Sequence, residues 1–227
     1  MRFDPLSPAP TTTSQRGWTD TAATSPLTAQ LELMGARMKF ARNAEIFGEG
    51  ESADYLYKVV SGAVRTSKLL SDGRRQIGAF LLPGDFFGME AGDDHRFSAE
   101  AISETVVLVI KRSVVESLAA RDSQVARALW TMAARDLERA QEHMLVLGRK
   151  NAQERLVTFL LDMAARASAQ DKVDLPMSRQ DIADYLGLTI ETVSRTLTQL
   201  ESSAAIELPT SRCIMLRNRR ALRHLCA

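Results

Sequence analysis

The stretch that decides the fold runs from Ser178 to Glu201 and reads SRQDIADYLGLTIETVSRTLTQLE. Ser178 offers a hydroxyl to the orphan amides of a helix start, and Asp181 stands three residues on, where a capping box usually carries Glu or Gln. The helix so begun, Arg179–Leu186, is expected to stop at Gly187, after which Thr189 caps a second helix over Ile190–Glu201. Helix, glycine-containing turn and capped helix make a helix-turn-helix. Its packing demands are met residue by residue: Ala183 is small where the helices approach, Val193 is β-branched, and Ile182, Leu186, Leu188 and Leu197 fill a core.

The outward face of the second helix carries Glu191, Thr192, Ser194 and Arg195. An arginine donates two hydrogens to guanine O6 and N7, and a glutamate accepts from cytosine N4, so Glu191, Ser194 and Arg195 are candidates for reading base edges. The competing reading is an intrahelical Glu191–Arg195 ion pair worth about 0.3–0.5 kcal/mol. Ser178, Arg179, Thr189, Thr192 and Arg212 are candidates for backbone phosphates, which position a reader without specifying sequence. Behind the second helix, Ala205–Leu208 and Cys213–Leu216 read as a β-hairpin wing. No acidic residue follows Thr210, while Arg212, Arg217, Arg219, Arg220 and Arg223 do. Arg219–Arg223 reads alternatively as a solvated basic tail.

Upstream, Ala152–Arg166 is amphipathic at helical period, and Val173–Met177 is a strand-like link. A long helix is expected from about Asp122 to Gly148. Trp130, Leu137 and Met144 fall seven apart, as do Ala133, Ala140 and Leu147 offset by three, which is an a/d seam for a second copy of the chain. The rival expectation is that this face packs on its own domain. A second stripe, Val125, Leu129 and Met132, would cover the domain before it, with a short helix at Ser113–Ala120 between.

Between Phe40 and Ile110 short β-branched and aromatic runs alternate with turn signals such as Gly48-Glu49-Gly50, Ser71-Asp72-Gly73 and Pro83-Gly84-Asp85. Regular spacing of this kind predicts a sandwich of jelly-roll type. Leu27, Leu31, Met34 and Met38 predict a short helix ahead of it. Residues 1–26, with four of the seven prolines and few charges, read as a disordered leader. The expected units are therefore 1–26, a jelly-roll over 27–120, a dimerisation helix over 121–149 and a winged helix-turn-helix over 150–227.

Composition bounds the rest. Lys+Arg is 29 against Asp+Glu 28, so positive charge for a polyanion must be local rather than global. No apolar run approaches the roughly 18–20 residues of a bilayer crossing, and a cytoplasmic chain is expected. The two cysteines, Cys213 and Cys226, are neither CxxC-spaced nor numerous enough for a metal cluster. No nucleophile–base pair, P-loop or paired metal ligands are present, so an enzyme is not expected.

FGEGESADYLYKVVSGAVR, LPGDFFGMEA, NAQERLVTFLLDMA and DIADYLGLTIETVSRTLTQLE together resemble the CRP/FNR superfamily of transcription regulators, over about residue 27 to the end. The resemblance implies an α+β chain: an N-terminal jelly-roll of cyclic-nucleotide-binding type, a long dimerisation helix and a C-terminal winged helix-turn-helix. Glu191, Ser194 and Arg195 resemble the FNR/FixK branch, which implies a homodimer on double-stranded DNA bearing TTGA-like inverted repeats, RNA polymerase as a partner, and genes of low-oxygen metabolism or nitrogen fixation. Ser71–Arg75 is a candidate polymerase patch. The phosphate anchor of cyclic-nucleotide binders is out of register here, since Met89 separates Gly88 from Glu90 and Phe97 separates Arg96 from Ser98. No cofactor or metal site is expected, and His95 reads as a solvated loop residue; a regulator gated by a cyclic nucleotide or haem is the alternative.

Overall fold

The computed structural model describes residues 31–167 and 171–226. Two four-stranded antiparallel sheets face one another. One has the order β1 (Ala36–Phe40), β8 (Thr105–Lys111), β3 (Tyr55–Ser61), β6 (Phe86–Phe87); the other has β2 (Glu45–Phe47), β7 (Ser98–Ala101), β4 (Val64–Leu69), β5 (Arg75–Leu81). The expected jelly-roll is present. Strands β3 and β8 read as nearly continuous apolar runs because both their faces are covered. Tyr57, Val59 and Val107 point into the space between the sheets, and Leu56, Leu108 and Ile110 point out to a second cluster with Leu31, Val115 and Val125.

Two helices build that outer layer, α1 (Arg112–Arg121) and α2 (Ser123–Arg149). Asp122 caps α2 by accepting from the Gln124 amide at 2.8 Å. Leu129 and Met132 of the expected second stripe lie with Val125 against the sheet. The outer face of the opposite sheet is covered by α3 (Ala152–Arg166), whose Leu156, Phe159, Leu160 and Met163 share one core cluster with Ile77, Phe80 and Leu82, and by the later helix α4 (Arg179–Leu186), whose Ile182 and Leu186 belong to the same cluster. Jelly-roll and C-terminal unit are therefore joined by apolar burial, and Phe80 meets Tyr185 at 5.1 Å between ring centroids. A cavity of about 330 Å³ lies where sheet, α2 and α3 converge, lined by Phe80, Phe86, Ala140, His143, Asp162 and Tyr185.

Three expectations are corrected. Residues 31–34 are helical, but Met38 lies in β1, paired with Val107 of β8. Gly35 makes the change possible, because a Cβ there would stand 2.6 Å from Leu108 Cγ; residues 27–30 and the expected leader lie outside the described residues. The alternative of a solvated basic tail holds only for exposure, since Arg220 and Arg223 are exposed but Arg219–His224 is a helix, α6, capped by Asn218 and anchored by fully buried Leu222. His95 is 2% exposed, not solvated, and its ring stacks on Phe47 at 3.6 Å with an interplanar angle of 11°.

Among the described residues neither ring nitrogen of His95 has a hydrogen-bond partner, and Glu90 is 3.9 Å from Nδ1. Burial lowers its pKa against the opposing pull of Glu90, Glu51 and Asp94. A neutral imidazole held below an unfolded pKa near 6.5 contributes stability that is complete above that value and is lost as pH falls toward the folded one. The melting temperature should therefore drop between pH 7.5 and 5.5. His95→Phe should make that drop shallower, leaving the share of His143, which burial also shifts down; an unchanged slope in a thermal-melt series would refute the assignment.

Candidate nucleic-acid interface

The C-terminal unit combines α3, the helix pair α4 (Arg179–Leu186) and α5 (Ile190–Ser202), α6, and a three-stranded sheet of order β10 (Ile206–Glu207), β11 (Cys213–Leu216), β9 (Lys172–Asp174). The expected wing is β10–β11, and the strand-like link supplies its third strand through Ile214↔Val173 pairing.

Each end of α4 is fixed by chemistry visible in its own residues. The Ser178 hydroxyl accepts from the Asp181 amide at 3.1 Å, while Asp181 Oδ2 accepts from Ser178 N at 3.0 Å and from its hydroxyl at 2.7 Å. Gly187 ends the helix at φ 61°, a left-handed conformation open to glycine at little cost. Thr189 caps α5 by accepting from Thr192 N at 3.2 Å. Beneath the pair, Ile182, Ala183, Leu186, Val193, Leu197 and Leu200 are buried.

The outward side chains divide into free and engaged groups. Arg195 is exposed and, among the described residues, no ion pair joins it to Glu191, so the intrahelical alternative is not formed. Glu191 is exposed, its carboxyl held below the usual range by its own backbone amide and the Thr189 hydroxyl. Ser194 is half-buried and accepts from Arg179 Nη1 at 3.3 Å, while Arg179 Nε is buried without a partner among the described residues. Thr192 lies half-buried beside Thr189, their hydroxyls 3.1 Å apart. Ser178 has its hydroxyl committed to the cap. Arg212 is exposed in the wing turn, and Arg220 and Arg223 are exposed on α6. Arg217 pairs with Glu207 and is less available.

On α2 the seven-residue stripe stands uncovered. Trp130 is 77%, Leu137 59% and Met144 65% exposed, Ala133 and Ala140 are exposed, and neighbouring Leu145 widens the patch. Leu147 departs from it, half-buried near Gly187. Periodicity marked the stripe but could not show that the helix-turn-helix would claim its last member.

Sequence reasoning missed the residues that hold this unit in place. Arg155 of α3 donates to three carbonyls: Leu147 at 2.8 Å, Lys150 at 2.8 Å and Leu186 at 3.0 Å. Arg166 and Arg139 both reach Asp85 of the β5–β6 loop. The Ser71–Arg75 turn is split: Arg74 is exposed, whereas Arg75 is turned onto Asp181 and Asp184.

A family model described as a Crp-like helix-turn-helix domain matches residues 154–225, and one described as a cyclic nucleotide-binding domain matches 37–122. The nitrogen fixation regulation protein FixK of Azorhizobium caulinodans is 57% identical over 197 residues, covering 85% of this chain and 79% of that protein. The transcriptional activatory protein AadR of Rhodopseudomonas palustris is 42% identical, covering 78% and 76%. The solved structure of FixK2 from Bradyrhizobium japonicum superposes with TM-score 0.83 at 54% identity, over 85% of this chain and 98% of that one.

The match to a cyclic nucleotide-binding domain concerns the jelly-roll; the residues for a cyclic phosphate do not fit. Glu90 accepts from Arg96 N at 3.2 Å, Ser98 Oγ accepts from Glu49 N at 2.9 Å, and the Arg96 side chain is exposed. Rings of Phe47, Tyr57, Phe87 and His95 fill the adjoining interior. Among the described residues no helix is long and apolar enough to cross a membrane. The capped helix pair, its wing and these likenesses place the chain in the CRP/FNR family of transcription regulators, among those that resemble FixK.

Proposed function

We propose that the chain is a cytoplasmic, homodimeric DNA-binding regulator that reads TTGA-type inverted repeats and activates genes of low-oxygen metabolism or nitrogen fixation. One observation carries the reading: a capped helix presents Glu191 and Arg195 outward, with no ion pair between them among the described residues, while a separate long helix leaves Trp130, Leu137 and Met144 in the open. An apolar stripe of this kind on a soluble domain marks an interaction surface, and its heptad spacing suits a second copy. A two-fold pair presents two recognition helices about 34 Å apart, so palindromy and the seam imply each other. The relatives support the physiological side, being named for nitrogen fixation regulation and transcriptional activation. The exposed tip Ser71–Arg74 is the surface we assign to RNA polymerase, with Arg75 withdrawn from it.

Footprinting on a TTGA inverted repeat should show protection without added effector. Arg195→Ala should weaken binding by about 1–3 kcal/mol per half-site and relax selectivity at one G·C pair; equal affinity and selectivity would overturn the base-reading role. Leu137→Glu places a charge in the seam and should yield monomers with reduced operator affinity. Sedimentation that still finds a dimer would overturn the assignment of this stripe to the seam.

A further inference from the structure

Between the jelly-roll and α4 lies a cluster of five charged side chains, in which the pairs that cross to α4 join positions more than a hundred residues apart. Arg65 of β4 donates from Nη1 to Asp181 Oδ1 at 3.0 Å and from Nε to Glu100 at 2.8 Å. Arg75, opening β5, donates from Nη2 to the same Asp181 oxygen at 2.7 Å and from Nε to Asp184 at 2.8 Å. Gln76 adds a bond to the Tyr185 carbonyl at 3.3 Å. These are not loose surface pairs, since the Asp181 side chain is 5% and that of Arg65 11% exposed. Desolvated charges tolerate few arrangements, and a guanidinium fork fixes direction as well as distance. The apolar contact between Phe80 and Tyr185 could slide; the ion cluster has one register.

We propose that Arg65 and Arg75 are positioning residues that set the half-site spacing the dimer accepts, an inference that rests on the DNA-reading function above. Arg155 fastens the C-terminal end of α4 to α2, and the two arginines fasten its N-terminal end to the jelly-roll. A helix held at one end can pivot; held at both it cannot. Because α5 packs on α4 and α2 carries the seam, the cluster fixes the angle between recognition helix and two-fold axis. Displacing a half-site by one base pair moves it about 3.4 Å and turns it about 35°, so freedom at this joint would appear as tolerance of wrong spacers.

The test measures anisotropy titrations of the full chain on inverted repeats with the preferred spacer and with one base pair added or removed. Wild type should lose about tenfold or more on either altered spacer, while Arg75→Ala and Asp184→Asn should lose about threefold or less. The double variant should be no more tolerant than Arg75→Ala alone, because removing the arginine already removes its bond to Asp184. Asp181 is left intact, since its removal would also break the cap. Arg75→Lys, which cannot serve both carboxylates with the same fork, should fall between, and it carries the test with Asp184→Asn if Arg75→Ala fails to melt cooperatively. Variants that keep the full spacing penalty would overturn the positioning role while leaving the DNA-binding function standing. Wild type indifferent to every inverted repeat would overturn that function and this inference together.

Discussion

Asp181 is a carboxylate with almost no access to water, and the architecture around it follows from what that requires. A buried carboxylate is costly unless its lone pairs are taken and its charge is matched. Here one oxygen closes the cap of α4 and the other receives two guanidinium groups from the jelly-roll. Burial alone would raise its pKa; the bonds from Ser178 and the charges of Arg65 and Arg75 outweigh that and hold it below the usual range. The cap that starts the helix-turn-helix is therefore also the point where two domains meet, and neither part is satisfied without the other.

Apolar burial supplies adhesion around that point. Sheet β2–β7–β4–β5 has one face on the jelly-roll interior and gives the other to α3 and α4, so Ile77 and Phe80 sit in one cluster with Leu156, Phe159 and Ile182. Each large aliphatic side chain there would cost about 2–5 kcal/mol if cut back to alanine. Burial of this kind is generous about direction, whereas the charged cluster is strict. The combination yields a joint both strong and specific in register.

How much of this was legible in the sequence depended on how far apart the cooperating residues lie. Caps and glycine stops are local, so α4 begins at Arg179 and ends at Leu186 as its residues require, and α3 spans Ala152–Arg166 as its period predicts. The apolar runs of β3 and β8 were readable for the same reason. β1 was not, because Met34 and Met38 mimic a helical stripe and only the approach of Gly35 to Leu108 breaks it. The burial of His95 depends on Phe47, and the role of Arg75 depends on Asp181 and Asp184. Nothing in the neighbourhood of either residue announces its partner. Among the candidate contacts, Arg195 and Arg212 could be placed outward and Ser178 in its cap from pattern alone, while the engagement of Ser194 by Arg179 needed the packed geometry.

The side chain of Arg155 has a mechanical meaning beyond its hydrogen bonds. The last carbonyls of a helix have no partners within it, and here one from α2, Leu147, one from α4, Leu186, and that of the connecting Lys150 share a single planar donor group. Drawing the two helices apart would bare several acceptors at once, so small separations gain nothing and the penalty arrives as a step. The junction at Lys150 and Asn151, where the chain passes from one domain to the next, is in this sense a weld. Whatever compliance the molecule has must be found in other places.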